Sequence, residues 1–171
     1  LVKTIAIVLI LTSSTLIGFL LANRYGQRVK ELRLIYSALK HFETEIIYGL
    51  TPMPEALRNI AKRMESPISN VYYEMSEKFS EHELSTVDIW QTCWRDNRRH
   101  LALTKRDYDI LMQLGYSIGQ TDKENQLKHI GIALSYIQAE EEEARHDQQK
   151  HEKMYKYLGF LMGLMVVILM M

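Results

Sequence analysis

Apolar positions along this chain fall into two patterns. Residues 5–22 and 157–171 are almost free of charge, whereas the stretch between them repeats apolar residues three or four places apart, the period of a helix with one buried face. At ~1.5 Å rise per residue the first run makes about 27 Å of helix and the second about 22 Å, against a hydrocarbon core of roughly 30 Å. Two membrane helices, residues 1–23 and 157–171, are therefore expected, the second short for a span. Between them Leu32, Ile35, Leu39, Phe42, Ile46 and Ile47 draw an apolar stripe that can continue from the first membrane segment to Tyr48, with Gly49 as its stop. Thr51 before Pro52 opens the next helix, with Met53, Leu57, Ile60, Ala61 and Met64 inward, and Ser66 before Pro67 repeats the signal ahead of Ile68, Val71, Tyr72, Met75 and Phe79.

The polar stretch 80–85 breaks the pattern. Thr86 is then the expected cap of a fourth helix carrying Ile89, Trp90, Cys93 and Trp94 and ending near Leu101. Thr104 followed by Asp107 resembles a capping box, starting a fifth helix through Tyr108, Leu111, Leu114 and Ile118 that Gly119 ends. Asp122 opens the last helix, in which Leu127, Ile130, Leu134 and Ile137 face inward, with no stop signal before the C-terminus. No alternating strand pattern competes. The expected fold is all-α: a bundle of about six helices over residues 24–156, between two transmembrane helices, its first and last helices long and antiparallel.

Residues 138–156 of the last helix hold few apolar side chains and read as a polar stalk, laced by Glu141 with Arg145 and Glu152 with Lys156 at four-residue spacing. If the first and last helices pack antiparallel from the membrane outward, Arg28 comes level with Glu152, Arg33 with Asp147 and Lys40 with Glu140. Within the apolar ends, Gly159 and Gly163 have the spacing of a close-packing helix motif, and Ser14 with Gly18 is its small-residue relative.

Charge orients this arrangement. Arg24, Arg28, Lys30 and Arg33 follow the first apolar run, Lys150, Lys153 and Lys156 precede the second, and only Lys3 lies on the far side. Retention of basic residues on the cytoplasmic face places the middle in the cytoplasm. A cleaved signal peptide is the rival for the first run, opposed by its length and by the absence of a small residue three places before a cleavage point near Ala22. The 21 basic and 21 acidic residues balance, so no nucleic-acid partner is indicated. Cys93 stands alone and cannot form an intrachain disulfide.

Candidate chemistry is sparse. Glu143 and His146 have the spacing that puts a carboxylate and an imidazole on one helical face, but a di-metal bundle needs a second copy and two further carboxylates, so no metal and no cofactor are expected. Neither a phosphate-cradling GxxxxGK[ST] loop nor a GxGxxG turn occurs. Arg95, Arg98, Arg99, Lys105 and Arg106 cluster around one turn and form a candidate partner surface.

Several strings taken together resemble the stage III sporulation protein AB family of endospore-forming bacteria, nearly end to end. They are Glu31-Leu32-Arg33; the run Glu43-Thr44-Glu45-Ile46-Ile47-Tyr48-Gly49-Leu50-Thr51-Pro52; Leu114-Gly115 with Gly119 and Asp122; Gln126-Leu127-Lys128-His129-Ile130; and Glu152-Lys153-Met154 with Leu158-Gly159-Phe160-Leu161. Departures concentrate in residues 80–101, so no role for the basic cluster carries over. The resemblance implies a non-enzymatic membrane subunit of the apparatus that links mother cell and forespore. Its helical domain would lie in the mother-cell cytoplasm and be similar to the F-type platform proteins of type II secretion. Implied partners are a secretion-type ATPase, other membrane subunits, the lipid bilayer and possible further copies of the chain. The rival class is a membrane-anchored sensor binding a ligand between helices, with Tyr36, Tyr72, Tyr108, Trp90 and Trp94 as pocket aromatics. A hydrolase using Cys93 lacks a nucleophile setting.

Overall fold

Six α-helices account for nearly all of the backbone in the computed structural model, which describes residues 2–48, 51–81, 84–120 and 122–170 and contains no strand among them. They are α1 (Val2–Tyr48), α2 (Met53–Arg63), α3 (Ile68–Glu81), α4 (Thr86–Asp96), α5 (Lys105–Gln120) and α6 (Lys123–Met170), with a 3₁₀ turn, Asn97–His100, after α4. The helices form two compact units. One comprises Leu1–Val29 with Glu142–Met171, the other Lys30–Glu141.

Helix boundaries follow local chemistry, sometimes one residue from where the sequence suggests. Pro52, not Thr51, holds the N-cap position of α2, at φ −57° and ψ 145°, and makes no side-chain cap. The ring preorganises that turn, and Pro54 then costs no hydrogen bond in the first turn. Likewise Ser85, not Thr86, caps α4: its Oγ accepts from the Asp88 N–H at 3.2 Å, while Asp88 sits in the first turn where the helix dipole favours an acid. The Thr104 and Asp107 capping box forms in both directions, Thr104 N–H to Asp107 Oδ2 at 2.7 Å and Asp107 N–H to Thr104 Oγ1 at 3.4 Å. Asp122 Oδ1 accepts from the Asn125 N–H at 3.3 Å and starts α6. Helix α5 runs one residue beyond Gly119, and Gly49 lies outside the described residues.

The core of the second unit is built around large rings. Trp90, Trp94, Tyr72 and Phe42 are each at most 1 % exposed. Tyr72 meets Trp94 edge to face at 6.1 Å between centroids, and Phe42 lies 6.1 Å from Trp90. Leu32, Ile35 and Leu39 of α1, Leu57 and Ile60 of α2, and Ile130, Leu134 and Ile137 of α6 are buried as well. The indole N–H of Trp90 donates to the Leu111 carbonyl at 2.8 Å, which holds α4 against α5. That approach requires Gly115: a Cβ there would lie 2.4 Å from Trp90 Cδ1. The glycine pair at 115 and 119 thus contributes a close helix contact at its first member. Of the five aromatics that a ligand pocket between helices would use, Tyr72, Trp90 and Trp94 fill this core instead.

Candidate interaction surfaces

In the first unit, α1 and α6 touch backbone to backbone. A Cβ on Gly18 would lie 2.9 Å from Gly159 Cα, and one on Gly159 would lie 2.8 Å from Gly18 Cα. Ser14 Oγ donates to the Gly159 carbonyl at 2.5 Å. Ser14, Gly18 and Gly159 therefore sit in one crossing, and Gly163 is buried one turn further along α6. Small residues permit this contact, and a serine hydroxyl satisfied by a helical carbonyl adds to it in an apolar setting. Nearer the other end of the same unit, Tyr25 stacks on His151 at 5.4 Å and on Tyr155 at 5.7 Å. The large side chains Leu16, Ile17, Phe19 and Leu20 of α1 and Leu161, Met162, Met165 and Ile168 of α6 face outward, each more than half exposed. Among the described residues, no helix is long and apolar enough to cross a membrane. Within the first apolar run, the side chains of residues 5, 6, 8 and 11 lie outside the description.

Two of the three charge pairs expected of ideal antiparallel helices give way to other partners. Arg33 Nε meets Glu141 Oε1 at 2.7 Å instead of Asp147. Lys40 pairs with Glu43 on its own helix at 2.9 Å. Glu140 turns to α5 and takes Arg106 at 2.9 Å, with its own carboxylate almost wholly buried. Asp147 lies 3.8 Å from the His151 ring, and Glu152 accepts from Gln148 at 3.0 Å. Arg28 and Glu152 are half-buried in the first unit, and neither lacks a partner. The reason is energetic. Exposed ion pairs contribute only a few tenths of a kcal/mol, so close packing sets the register and the long side chains adapt.

One buried acid was not singled out for a role from sequence. Glu31, 5 % exposed, accepts the Ala102 N–H at 2.7 Å and so ties α1 to the segment joining the 3₁₀ turn to α5. Burial pushes its carboxyl up to about 7 against the pull of that hydrogen bond, and buried Asp107 nearby adds to the shift. Its polar position within the inward stripe of α1 was the available signal.

The basic cluster divides in two. Arg106 is committed to Glu140, whereas Arg95, Arg98, Arg99 and Lys105 are exposed and, among the described residues, meet no carboxylate within ion-pair distance. Arg98 lies over the Tyr108 ring, 5.1 Å from guanidinium carbon to centroid. Between α4 and α5, Arg95, Arg98 and Lys105, but not Arg99, line a surface groove of about 410 Å³ together with Gln91, Tyr108, Asp109, Met112 and Tyr116. Cys93 is fully buried, and burial pushes its thiol up to about 12, far from a thiolate at neutral pH. No group of three metal-ligating side chains occurs among the described residues, and Glu143 and His146 are both exposed on α6.

Comparison with known proteins places this architecture. The profile of the stage III sporulation protein AB family matches residues 3–171. Stage III sporulation protein AB of Bacillus subtilis (strain 168) is 36% identical over 169 residues, covering 99% of both chains. A solved structure of stage III sporulation protein AB (SpoIIIAB) superposes at a TM-score of 0.70 with 31% identity, covering 72% of this chain and 98% of that one. Matched almost end to end by the family profile and by a full-length relative, this chain belongs to the stage III sporulation protein AB family.

Proposed function

We propose that this chain is a non-enzymatic membrane platform subunit of the apparatus linking mother cell and forespore. It sits in the mother-cell membrane facing the forespore and works beside a cognate secretion-type ATPase and other membrane subunits. Family membership supports a role in sporulation. The observation that carries the membrane part is the first unit itself. Its two helices meet through Ser14, Gly18 and Gly159 while their large apolar side chains face outward, an arrangement that suits lipid and would be costly in water. The basic residues flanking both apolar runs support a cytoplasmic second unit.

The second unit supports a scaffold in preference to a catalyst. Its buried carboxylates Glu31 and Glu140 are engaged in holding helices, on Ala102 and on Arg106, and its lone thiol is buried. The deciding experiment is purification of the full chain from membranes with and without the candidate ATPase. A monodisperse complex of the two is the expected result. Recovery of the chain in the soluble fraction after membrane sedimentation would sink the membrane part. An ATPase that never co-purifies, from membranes where sporulation proceeds normally, would sink the partner part.

A further inference from the structure

We infer that the groove between α4 and α5 is a docking site for an acidic amphipathic helix of a partner protein, held by Arg95, Arg98 and Lys105 at one end and by Met112 and Tyr116 at the other. The chain carries equal numbers of basic and acidic residues, and several cations elsewhere in the second unit are paired with carboxylates: Lys30 with Glu65, Arg33 with Glu141, Arg58 with Glu77, Lys78 with Glu74 and Arg106 with Glu140. The groove's own three cations are not, among the described residues. An uncompensated basic strip on a charge-balanced chain attracts a polyanionic partner and orients its approach.

The walls narrow the choice of partner. Tyr108, Met112 and Tyr116 recur every four residues along α5, forming a stripe about 12 Å long, the rise of roughly two helical turns. Tyr116 is 56 % exposed although aromatic. A groove of about 410 Å³ lined in part by Tyr108, Met112 and Tyr116 takes a few side chains of one helix face, and anchors spaced one turn apart match such a stripe. A bilayer surface presents headgroups to protruding basic side chains and has no use for a recessed floor. Arg98 is preset for the task. Its guanidinium rests on the Tyr108 ring while the Tyr108 hydroxyl donates to the Arg98 carbonyl at 3.4 Å, so the side chain is ordered before a carboxylate arrives. Asp109 on the same wall leaves room for one cation of the partner and discourages a uniformly acidic ligand.

This inference relies on the scaffold reading only for the expectation of a protein partner, and its test is independent of sporulation. The full chain in neutral detergent micelles is titrated against a fluorescein-labelled helical peptide of about 14 residues, roughly 21 Å long, bearing glutamates toward one end and leucines spaced by one turn. Saturable binding by fluorescence anisotropy is expected, weakened at least about tenfold by combining Arg95→Glu with Arg98→Glu and recovered when the peptide's glutamates become lysines. These positions are exposed, so an unchanged melting temperature separates lost binding from lost fold. Arg99→Glu serves as a control, since Arg99 does not line the groove. Four results would overturn the inference. They are equal binding of the glutamine version of the peptide, an equal loss with Arg99→Glu, displacement by dihexanoyl-phosphatidylserine but not by its phosphatidylcholine counterpart, and self-association of the chain that Arg98→Glu abolishes in place of peptide binding.

Discussion

Two glycines in helices of the second unit have opposite surroundings. A Cβ at Gly115 would strike the Trp90 ring at 2.4 Å, whereas one at Gly131 meets nothing within 4 Å. The indole cannot step aside, since its N–H is bound to the Leu111 carbonyl and Phe42, Tyr72 and Trp94 crowd its faces. Gly131→Ala should therefore raise stability by about 1 kcal/mol through helix propensity. Gly115→Ala should lower it by about 1–2 kcal/mol, because overpacking outweighs the same gain. Denaturant midpoints of the two variants check both signs. Glu31 makes a further prediction at this scale. Its carboxyl is held at about 7 in the folded chain, so the folded state keeps a proton that the unfolded state releases near ~4.3. The associated stability is complete below the unfolded value and is lost as pH rises through about 7. Glu31→Gln retains an acceptor for the Ala102 N–H and cannot ionise, so its melting temperature should vary less than the native chain's between pH 5 and 8. An equal decline in both would refute the assignment. Trp90 and Gly115 stand out in the sequence only as a large residue and a small one; that they face each other follows from how α4 lies on α5.

At the scale of the element, the α1–α6 crossing in the first unit gives the sharpest test. Gly159→Ala places a methyl 2.8 Å from the Gly18 Cα, a backbone atom that no rotamer change can move. The full chain in detergent micelles should lose about 1–3 kcal/mol, or ~2–4 °C of melting temperature for each kcal/mol. Gly26→Ala is the matched control, because its methyl would meet only the end of the Gln148 side chain, at 3.2 Å. It should not lower the transition, because the Gln148 side chain can give way and helix propensity favours alanine. The crossing was legible because glycine spacing encodes how closely two helices can approach. Caps were legible to within a residue, since Ser85 and Thr86, or Thr51 and Pro52, offer adjacent solutions to the same unsatisfied N–H groups. The partners of Arg33 and Lys40 were not legible. Long basic side chains reach several carboxylates at similar cost, and Arg33 took Glu141 while Glu140 was drawn to Arg106 on a third helix.

For the whole molecule, α6 is a single 48-residue helix that contributes to both compact units. Glu142 is exposed and lies just past the last residue of the second unit. A proline there removes one main-chain bond and clashes with the preceding turn, at about 3 kcal/mol or more. If the platform reading holds, Glu142→Pro should abolish complementation of a sporulation defect, while the second unit keeps its cooperative melting transition. Normal sporulation with this variant would show that helix continuity is dispensable. By itself the sequence determined that the chain is helical, where its helices begin and end to within a few residues, which face of each is apolar, and where its small residues cluster, because all of these are set by neighbours within a turn or two. Only the tertiary structure decided that Trp90 lies over Gly115, that Glu31 is buried beneath Ala102, which cations are neutralised, and that Arg95, Arg98 and Lys105 border a groove with an aromatic floor. Those facts depend on residues far apart in the chain, brought together by packing energies that no local spacing records.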